Sequence, residues 1–207
     1  MSTPPLVLAS SSPRRRQLLE MLGIPVTVRP PHVPEVRRPG EPARAYVERL
    51  AREKASAVQG ELVLAADTTV VIDEEVLEKP ADAADAVRML ERLAGRTHDV
   101  ITAVALRANG TMRQATDLTR VTFRPADREL LEAYVATGEP MDKAGAYGIQ
   151  GYGAALVDRV EGDFFGVMGL PLRLVLRLLE EAGHGYRMGG GAVTTSRGTP
   201  PRSASFP

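Results

Sequence analysis

Residues 98–123 read HDVITAVALRANGTMRQATDLTRVTF, and this stretch contains a strong turn signal between two strand-like runs. Residues 98–106 and 118–123 alternate apolar and polar side chains, as long antiparallel strands do. Asn109-Gly110 lies between them and is a strong turn signal, because both residues tolerate the positive φ that a tight hairpin turn requires. The pattern therefore predicts a β-hairpin near the middle of the chain.

Strand-like and helix-like stretches alternate on both sides of this hairpin. Short apolar or β-branched runs predict strands at residues 6–9, 26–28, 62–66, 70–72 and 155–160. Apolar residues at helical spacing predict helices at residues 13–22, 43–58, 82–93, 128–135 and 171–181. The first helix has Pro13 in its first turn and Ser12 as its predicted N-cap. This order of elements indicates an α/β or α+β layered fold.

The composition excludes several classes of protein. The chain has 207 residues, of which 43% are hydrophobic, and its 26 basic residues balance 26 acidic ones. The absence of Cys excludes a disulfide scaffold, a thiolate zinc site and a cysteine nucleophile. A net charge of zero argues against a general nucleic-acid-binding protein. No apolar run approaches the length of a membrane span and no signal peptide opens the chain, so we expect a soluble, cytoplasmic protein.

The composition changes near the C-terminus. Of the last 20 residues, 188–207, 13 are Gly, Pro, Ser or Thr. Such a segment buries too little apolar surface to offset the entropy lost on ordering, so we expect a disordered tail. The predicted folded domain is therefore residues 1–187.

Residues 8–16, LASSSPRRR, form the first stretch that indicates chemistry. A strand that runs into Ser10–Ser12 and then a helix presents unpaired backbone N–H groups, hydroxyls and guanidinium groups together. This combination favours a phosphate-binding site. An ordinary N-cap followed by a solvated basic turn would also produce this pattern. Basic residues in a first helical turn oppose the helix dipole, however, so Arg14 and Arg15 require a negative partner.

Residues 64–71, LAADTTVV, form the second such stretch. Asp67 follows a short apolar strand, and an acid at a strand end is able to hold a metal ion or to activate water. A carboxylate that only caps a turn between two strands is the alternative interpretation.

Residues 139–151, EPMDKAGAYGIQG, form the third. Glycines let a ligand approach the backbone closely, and the Gln150 amide offers both a donor and an acceptor to a nucleobase. The alternative is a flexible connection between a helix and a strand. Lys143 is interpreted as holding this loop by pairing with Asp142 or another acid, in preference to contacting a ligand.

Taken together, these stretches resemble the Maf-like nucleoside triphosphate pyrophosphatases. The resemblance spans residue 6 to about residue 181 and includes Glu35 after the second strand. The matching blocks occur in the expected order: LASSSPRRRQLLEMLGI from residue 8, REKA at 52–55, ADTTVV at 66–71, EKP at 78–80, GRTHDVITAV at 95–104, EPMDKAGAYGIQG at 139–151 and VMGLP at 167–171. Loops of the form AGAYGIQG belong to the branch that acts on dTTP and UTP.

The resemblance implies an architecture and a set of site residues. We expect a central mixed β-sheet with flanking helices, in two Maf- and ITPase-like lobes around a nucleotide cleft. Asp67 matches the catalytic acid that accepts a proton from the attacking water. The matching substrate-binding residues are Ser10, Ser12, Arg14, Arg15, Glu35, Lys54, Thr68, Lys79 and Gln150. Arg14, Thr68 and Gln150 match the positions linked to substrate choice in the pyrimidine branch.

The resemblance also implies a divalent cation, Mg²⁺ before Mn²⁺, and a homodimer. Glu35 and Asp67 are candidates to help hold the cation, but the sequence does not assign its ligands. His98 is expected to be structural. Two other functions stay open at this point. One is a nucleotide-binding regulator of septum formation without essential catalysis, and the other is a purine or 7-methyl-GTP pyrophosphatase.

Overall fold

The computed structural model describes residues 5–188 and the backbone of residues 193–195. The strands of its main sheet are β1 (Leu6–Leu8), β2 (Val26–Val28), β3 (Leu62–Ile72), β4 (Glu75–Leu77), β5 (Thr97–Ala108), β6 (Thr111–Phe123) and β7 (Val157–Glu161). They lie in the order β2-β1-β3-β5-β6-β7, and β4 is a further partner of β3. β1 runs parallel to β2 and β3, whereas β3, β5, β6 and β7 pair antiparallel. The predicted mixed sheet is confirmed.

The predicted central hairpin is confirmed, and its strands are longer than predicted. β5 and β6 pair continuously up to Ala108 and Thr111. Asn109 and Gly110 make the turn with φ angles of 49° and 77°, as the tight connection requires. The extra length of the strands has a physical reason. β5 pairs with β3 on one edge and with β6 on the other, and its side chains are mostly buried, so it continues as a strand through residues that do not alternate between apolar and polar.

Helices cover both faces of the sheet. They are α1 (Pro13–Met21), α2 (Ala43–Ala57), α3 (Ala83–Leu93), α4 (Arg128–Ala136), α5 (Phe164–Val167) and α6 (Leu172–Glu181). α2 packs on one face in a core that contains Val47, Leu50 and Val63. The other four long helices pack into a larger core on the opposite face. All five predicted helices are present within two residues of their predicted ends, and the layered α/β class is confirmed.

Three local predictions are wrong. The two strands predicted at 62–66 and 70–72 are one strand, β3, so Asp67 lies inside a strand and not at a strand end or a turn. The reason is the neighbour β5, which pairs with β3 without a break from Leu62 to Val71. Ser12 occupies the N-cap position of α1, but its side chain caps nothing and its N–H donates to Ser10 Oγ instead.

The loop at 139–151 is an ordered connection. It contains the 3₁₀ turns Glu139–Asp142 and Ala144–Ala146, and a third, Gly151–Leu156, delays the start of β7 relative to the prediction. β4 and α5 were not predicted, because Glu75–Leu77 is not a continuous apolar or β-branched run and the four residues of α5 are too few to show a helical period.

Most of the predicted tail, 188–207, lies outside the described residues. Within that tail, the backbone of β9 (Val193–Thr195) pairs antiparallel with β8 (His184–Tyr186). Among the described residues, none of the helices is both long and apolar enough to cross a membrane.

Candidate active site

A cleft opens at one edge of β3. On that edge β1 pairs with Leu62–Leu64 and β4 pairs with Val70–Ile72, so no strand of the described chain covers residues 65–69 between them. The Leu64 carbonyl on this edge accepts from the Ala9 N–H at 2.8 Å. Because backbone groups alternate along a strand, the N–H and C=O groups of Ala66 and Thr68 face the same open edge.

The cleft has a volume of about 570 Å³ and brings the predicted residues together. All ten residues singled out from the sequence line it: Ser10, Ser12, Arg14, Arg15, Glu35, Lys54, Asp67, Thr68, Lys79 and Gln150. They come from six separate parts of the chain: the turn before α1 together with the first turn of α1, the loop after β2, α2, β3, the segment after β4, and the loop at 139–151.

The turn between β1 and α1 forms a cationic wall. Ser10 Oγ accepts from the Ser12 N–H and from Arg15 Nη1, both at 3.2 Å. Arg15 Nε donates to the Gly169 carbonyl at 2.9 Å, so this guanidinium crosses the cleft floor in a fixed orientation. Burial lowers the pKa of Arg15, while the charge of Asp67 opposes that shift. Arg15 therefore remains a cation and is able to bind an anion.

Arg14 has the negative partner that its position in the helix requires. Its Nη1 lies 3.1 Å from Asp142 Oδ2, which links α1 to the loop on the opposite side of the cleft. Asp142 also pairs with Lys143 at 2.6 Å, as predicted, and Lys143 itself lines the cleft. Sequence reasoning missed Asp142 as the partner of Arg14, because a contact between residues 128 positions apart has no local signature.

A buried ion cluster lies on the face of β3 that packs against α2. Lys54 Nζ lies 2.5 Å from Glu35 Oε1 and 2.6 Å from Asp67 Oδ1. The Lys54 residue is only 6% exposed, so the ammonium is held between the two carboxylates with little contact with water. Lys79 Nζ lies 3.6 Å from the other Glu35 oxygen, and its side chain is exposed.

Glu35 and Asp67 have shifted pKa values of opposite direction. Burial raises the pKa of Asp67 above its ordinary value, although the charge of Lys54 opposes the rise. Burial alone would raise the pKa of Glu35 as well. The hydrogen bond from Lys54 and the charges of Lys54 and Lys79 outweigh burial and lower this pKa overall. Two nearby carboxylates with divergent pKa values are typical of sites that transfer protons.

Thr68 points to the opposite face of β3 from Asp67, as successive strand residues do. Its Oγ1 lies 3.3 Å from Arg15 Nη2 and 2.9 Å from Thr102 Oγ1 on β5. Val70 and Val100, which line the cleft and are register partners, lie on that same face. The face of β3 that carries Thr68 therefore combines the Arg15 guanidinium with apolar side chains, whereas the opposite face carries the buried ion cluster.

Glu139 organises the loop that carries Gln150, and sequence reasoning missed it. Its carboxylate accepts from the Tyr134 hydroxyl at 2.9 Å, from the Tyr152 N–H at 3.0 Å and from the Gly153 N–H at 3.2 Å. A Cβ added to Gly153 would overlap the carbonyl oxygen of Gly148, so the close packing here requires glycine. The position of Glu139 at the start of the EPMD turn was the available signal.

His98 is structural, as predicted. It is 2% exposed, and its Nε2 lies 2.9 Å from the Tyr147 hydroxyl. The rings of His98, Phe123 and Tyr147 contact one another edge to face, with centroids 4.8–5.3 Å apart. Burial lowers the pKa of His98 to about 4, so it is neutral at physiological pH. Tyr147 packs in this group and also lines the cleft.

The cleft combines guanidinium and ammonium groups with one buried carboxylate whose pKa is raised. The cationic groups suit a multiply charged phosphate ligand, and the buried carboxylate suits the activation of a water molecule. Fold and site thus define an α/β protein whose cleft has cationic groups suited to a phosphorylated small molecule beside a buried carboxylate.

The chain belongs to the Maf-like family. The family model described as "Maf-like protein" matches residues 5–182. A dTTP/UTP pyrophosphatase of Anaeromyxobacter sp. (strain Fw109-5) is 54% identical over 200 residues, which cover 90% of this chain and 98% of that protein. A dTTP/UTP pyrophosphatase of Symbiobacterium thermophilum is 50% identical over 189 residues, which cover 89% and 97%.

Among solved structures, a HAM1 protein from Coxiella burnetii is similar over 58% of this chain and 73% of its own. The identity is 19% and the TM-score is 0.42, a similarity too weak to bear on fold or function.

Proposed function

We propose that this protein is a nucleoside triphosphate pyrophosphatase that hydrolyses dTTP and UTP to the nucleoside monophosphate and pyrophosphate. The observation that carries the proposal is the buried Asp67 at the open edge of β3, next to the cationic turn at residues 10–15. Relatives that match over nearly their whole length bear the name of this activity, which supports the choice of substrate.

In the proposed mechanism, Asp67 accepts a proton from a water molecule. The water oxygen attacks phosphorus at the bond between the α- and β-phosphates, that P–O bond breaks, and the bridging oxygen leaves with one of the two products. The raised pKa makes the Asp67 carboxylate a stronger base than an exposed one, and the charge of Lys54 opposes the rise. Arg14, Arg15 and the Ser10–Ser12 turn bind the phosphate chain and offset its charge.

Glu35 and Asp67 fit a divalent cation. Their carboxylates converge on a single ammonium, and Mg²⁺ is commonly held by one or two carboxylates together with substrate phosphates. The described residues contain no group of three or more potential metal ligands, which is consistent with a cation that arrives with the nucleotide. When bound, the cation would neutralise charge on the phosphate oxygens. The homodimer and the cytoplasmic location remain predictions from the sequence.

The test is pyrophosphate release by the purified full chain with Mg²⁺ and a panel of nucleoside triphosphates. We expect dTTP and UTP to be the best substrates, and Asp67→Asn to abolish turnover while nucleotide binding is retained. Asp99→Asn is a matched control, since Asp99 lies on the neighbouring strand β5 and does not line the cleft. Failure to hydrolyse any triphosphate, or equal activity of Asp67→Asn and wild type, would overturn the proposal.

A further inference from the structure

A second ion cluster lies outside the cleft. It consists of Asp117 on β6, Asp163 at the start of α5 and Arg173 in the first turn of α6. Arg173 Nε lies 2.9 Å from Asp163 Oδ2, and Arg173 Nη2 contacts Asp117 Oδ1. The two carboxylate side chains are almost completely buried, and a buried carboxylate without a cation is costly. Arg173 is therefore the charge that allows both acids to lie at this place.

The cluster fixes the short helix α5. Asp163 Oδ1 accepts from the Gly166 N–H at 3.0 Å, and the Asp163 N–H donates to Thr119 Oγ1 at 2.7 Å. Thr119 in turn donates to Asp117 Oδ2 at 2.8 Å. A Cβ added to Gly166 would lie 2.6 Å from that same Asp117 oxygen, so the backbone of α5 rests directly on this carboxylate. The position of α5 thus depends on the two acids that Arg173 holds together.

α5 transmits its position to the cleft. Val167, its last residue, lines the cleft, and so does Gly169 two residues later. The Gly169 N–H donates to the Gly166 carbonyl at 3.0 Å, which ties Gly169 to α5. The Gly169 carbonyl accepts from Arg15 Nε at 2.9 Å. A continuous set of contacts therefore connects the ion cluster with the guanidinium that faces the ligand.

The hydrogen bonds of Arg15 leave two donors for that ligand. A guanidinium has five N–H groups in fixed directions, and Arg15 Nε uses its one on Gly169. Nη1 lies 3.2 Å from Ser10 Oγ and Nη2 lies 3.3 Å from Thr68 Oγ1. One N–H remains on each of Nη1 and Nη2, which is the pair that a bidentate phosphate contact requires. A displaced Gly169 carbonyl would rotate this pair away from the phosphate oxygens.

We propose that Arg173, together with Asp117 and Asp163, is a positioning residue for phosphate binding: it holds α5 so that the Gly169 carbonyl keeps the Arg15 guanidinium turned toward the phosphate chain. Arg173 itself does not line the cleft and touches no ligand. This inference rests on the proposed function, because it assigns the support of the same phosphate-binding wall.

The first experiment measures the binding of inorganic pyrophosphate to the purified full chain by calorimetry, so it does not depend on turnover. Arg173→Met leaves two buried carboxylates without their cation and displaces α5. We expect the Kd for pyrophosphate to rise about tenfold, since a shift of about 1 Å in a binding group has effects of this order or larger. Arg177→Met is the matched control, because Arg177 lies one turn further along α6, is similarly exposed and pairs only with Glu181. We expect its Kd to stay within about twofold of wild type.

A double-mutant cycle distinguishes positioning of Arg15 from a general defect of the fold. Arg15→Lys keeps the positive charge and replaces the planar fork by an ammonium, whose donors rotate freely. We expect Arg173→Met to change the Kd by less than about twofold in this background, because the group that it positions is gone. An equal increase of the Kd in both backgrounds would assign the effect to the fold and overturn the inference.

Arg173→Lys tests the same role in a variant that keeps the charge of the cluster. A single ammonium does not reproduce the two-sided contact of Nε and Nη2, and we expect an intermediate rise of the Kd, about threefold. An unchanged Kd in both Arg173 variants would refute the inference. For dTTP, we expect KM to rise in parallel with the Kd while kcat stays within about threefold, since Asp67 lies on the other face of β3. A wild-type protein that hydrolyses no triphosphate would instead contradict the proposed function itself.

Discussion

The buried His98 makes the stability of this protein sensitive to mild acid. Burial lowers its pKa to about 4 in the folded chain, against an ordinary value of 6.5. Its Nδ1 has no hydrogen-bond partner among the described residues, so a protonated ring would leave a buried charged donor unsatisfied. Protonation of His98 is therefore much easier in the unfolded chain than in the folded one.

The direction and the size of the pH effect on stability follow from this difference in the pKa of His98. Between pH 6.5 and pH 4 the unfolded chain binds more protons at His98, so the free energy of unfolding falls as the pH falls. At pH 5.0 the contribution of His98 to stability is lower by about 2 kcal/mol than at pH 7.5. The contribution is complete above about pH 6.5 and continues to fall down to about pH 4.

The assay is urea unfolding at pH 7.5, 6.0 and 5.0 for wild type and His98→Gln, which keeps a polar group and removes the titration. Other titrating groups are common to both proteins, so their effects cancel in the comparison. Between pH 7.5 and pH 5.0, we expect the free energy of unfolding of wild type to fall by about 2 kcal/mol more than that of the variant.

Imidazole NMR signals give an independent measurement, because the chain has only three histidines. We expect the His98 signal, identified by its loss in His98→Gln, to stay that of a neutral ring down to about pH 5. Equal losses of stability in the two proteins, or titration of His98 near pH 6.5, would refute the reasoning.

Three further changes test the cleft. Lys54→Met removes the ammonium whose charge opposes the effect of burial on the pKa of Asp67, so that pKa should rise further. We expect the acid limb of the pH profile of kcat/KM to move to higher pH. An unmoved limb would contradict the role of Asp67 as the base. Glu139→Gln removes one acceptor oxygen from the loop. We expect the free energy of unfolding, measured in urea, to fall by about 2 kcal/mol and the KM for dTTP to rise. Gly153→Ala places a methyl group against the Gly148 carbonyl, and we expect the KM for dTTP to rise at least about tenfold; an unchanged KM would show that this loop does not position the substrate.

The predicted helices and the hairpin depend on local signals, and they were found where those signals are strong. Asn109-Gly110 specifies its turn through backbone conformation alone, and the amphipathic helices are specified by the spacing of their apolar residues. β3 was divided in error, because the polar run Asp67–Thr69 resembles a turn when its neighbour is unknown. Its continuous pairing with β5, from Leu62↔Ala108 to Val71↔Asp99, joins residues 46 to 28 positions apart, which no local pattern contains.

Residue types and motif blocks were enough to select ten of the side chains that line the cleft, since charge and hydrogen-bonding capacity belong to a side chain wherever it lies. They did not reveal the contacts that Asp142 and Glu139 make there. Tertiary structure decided the roles that depend on partners. It placed Lys54 between Glu35 and Asp67, and it turned Asp67 and Thr68 to opposite sides of an open strand edge. Burial and hydrogen-bond direction arise from groups distant in the chain, and for that reason they became visible only once the sheet was assembled.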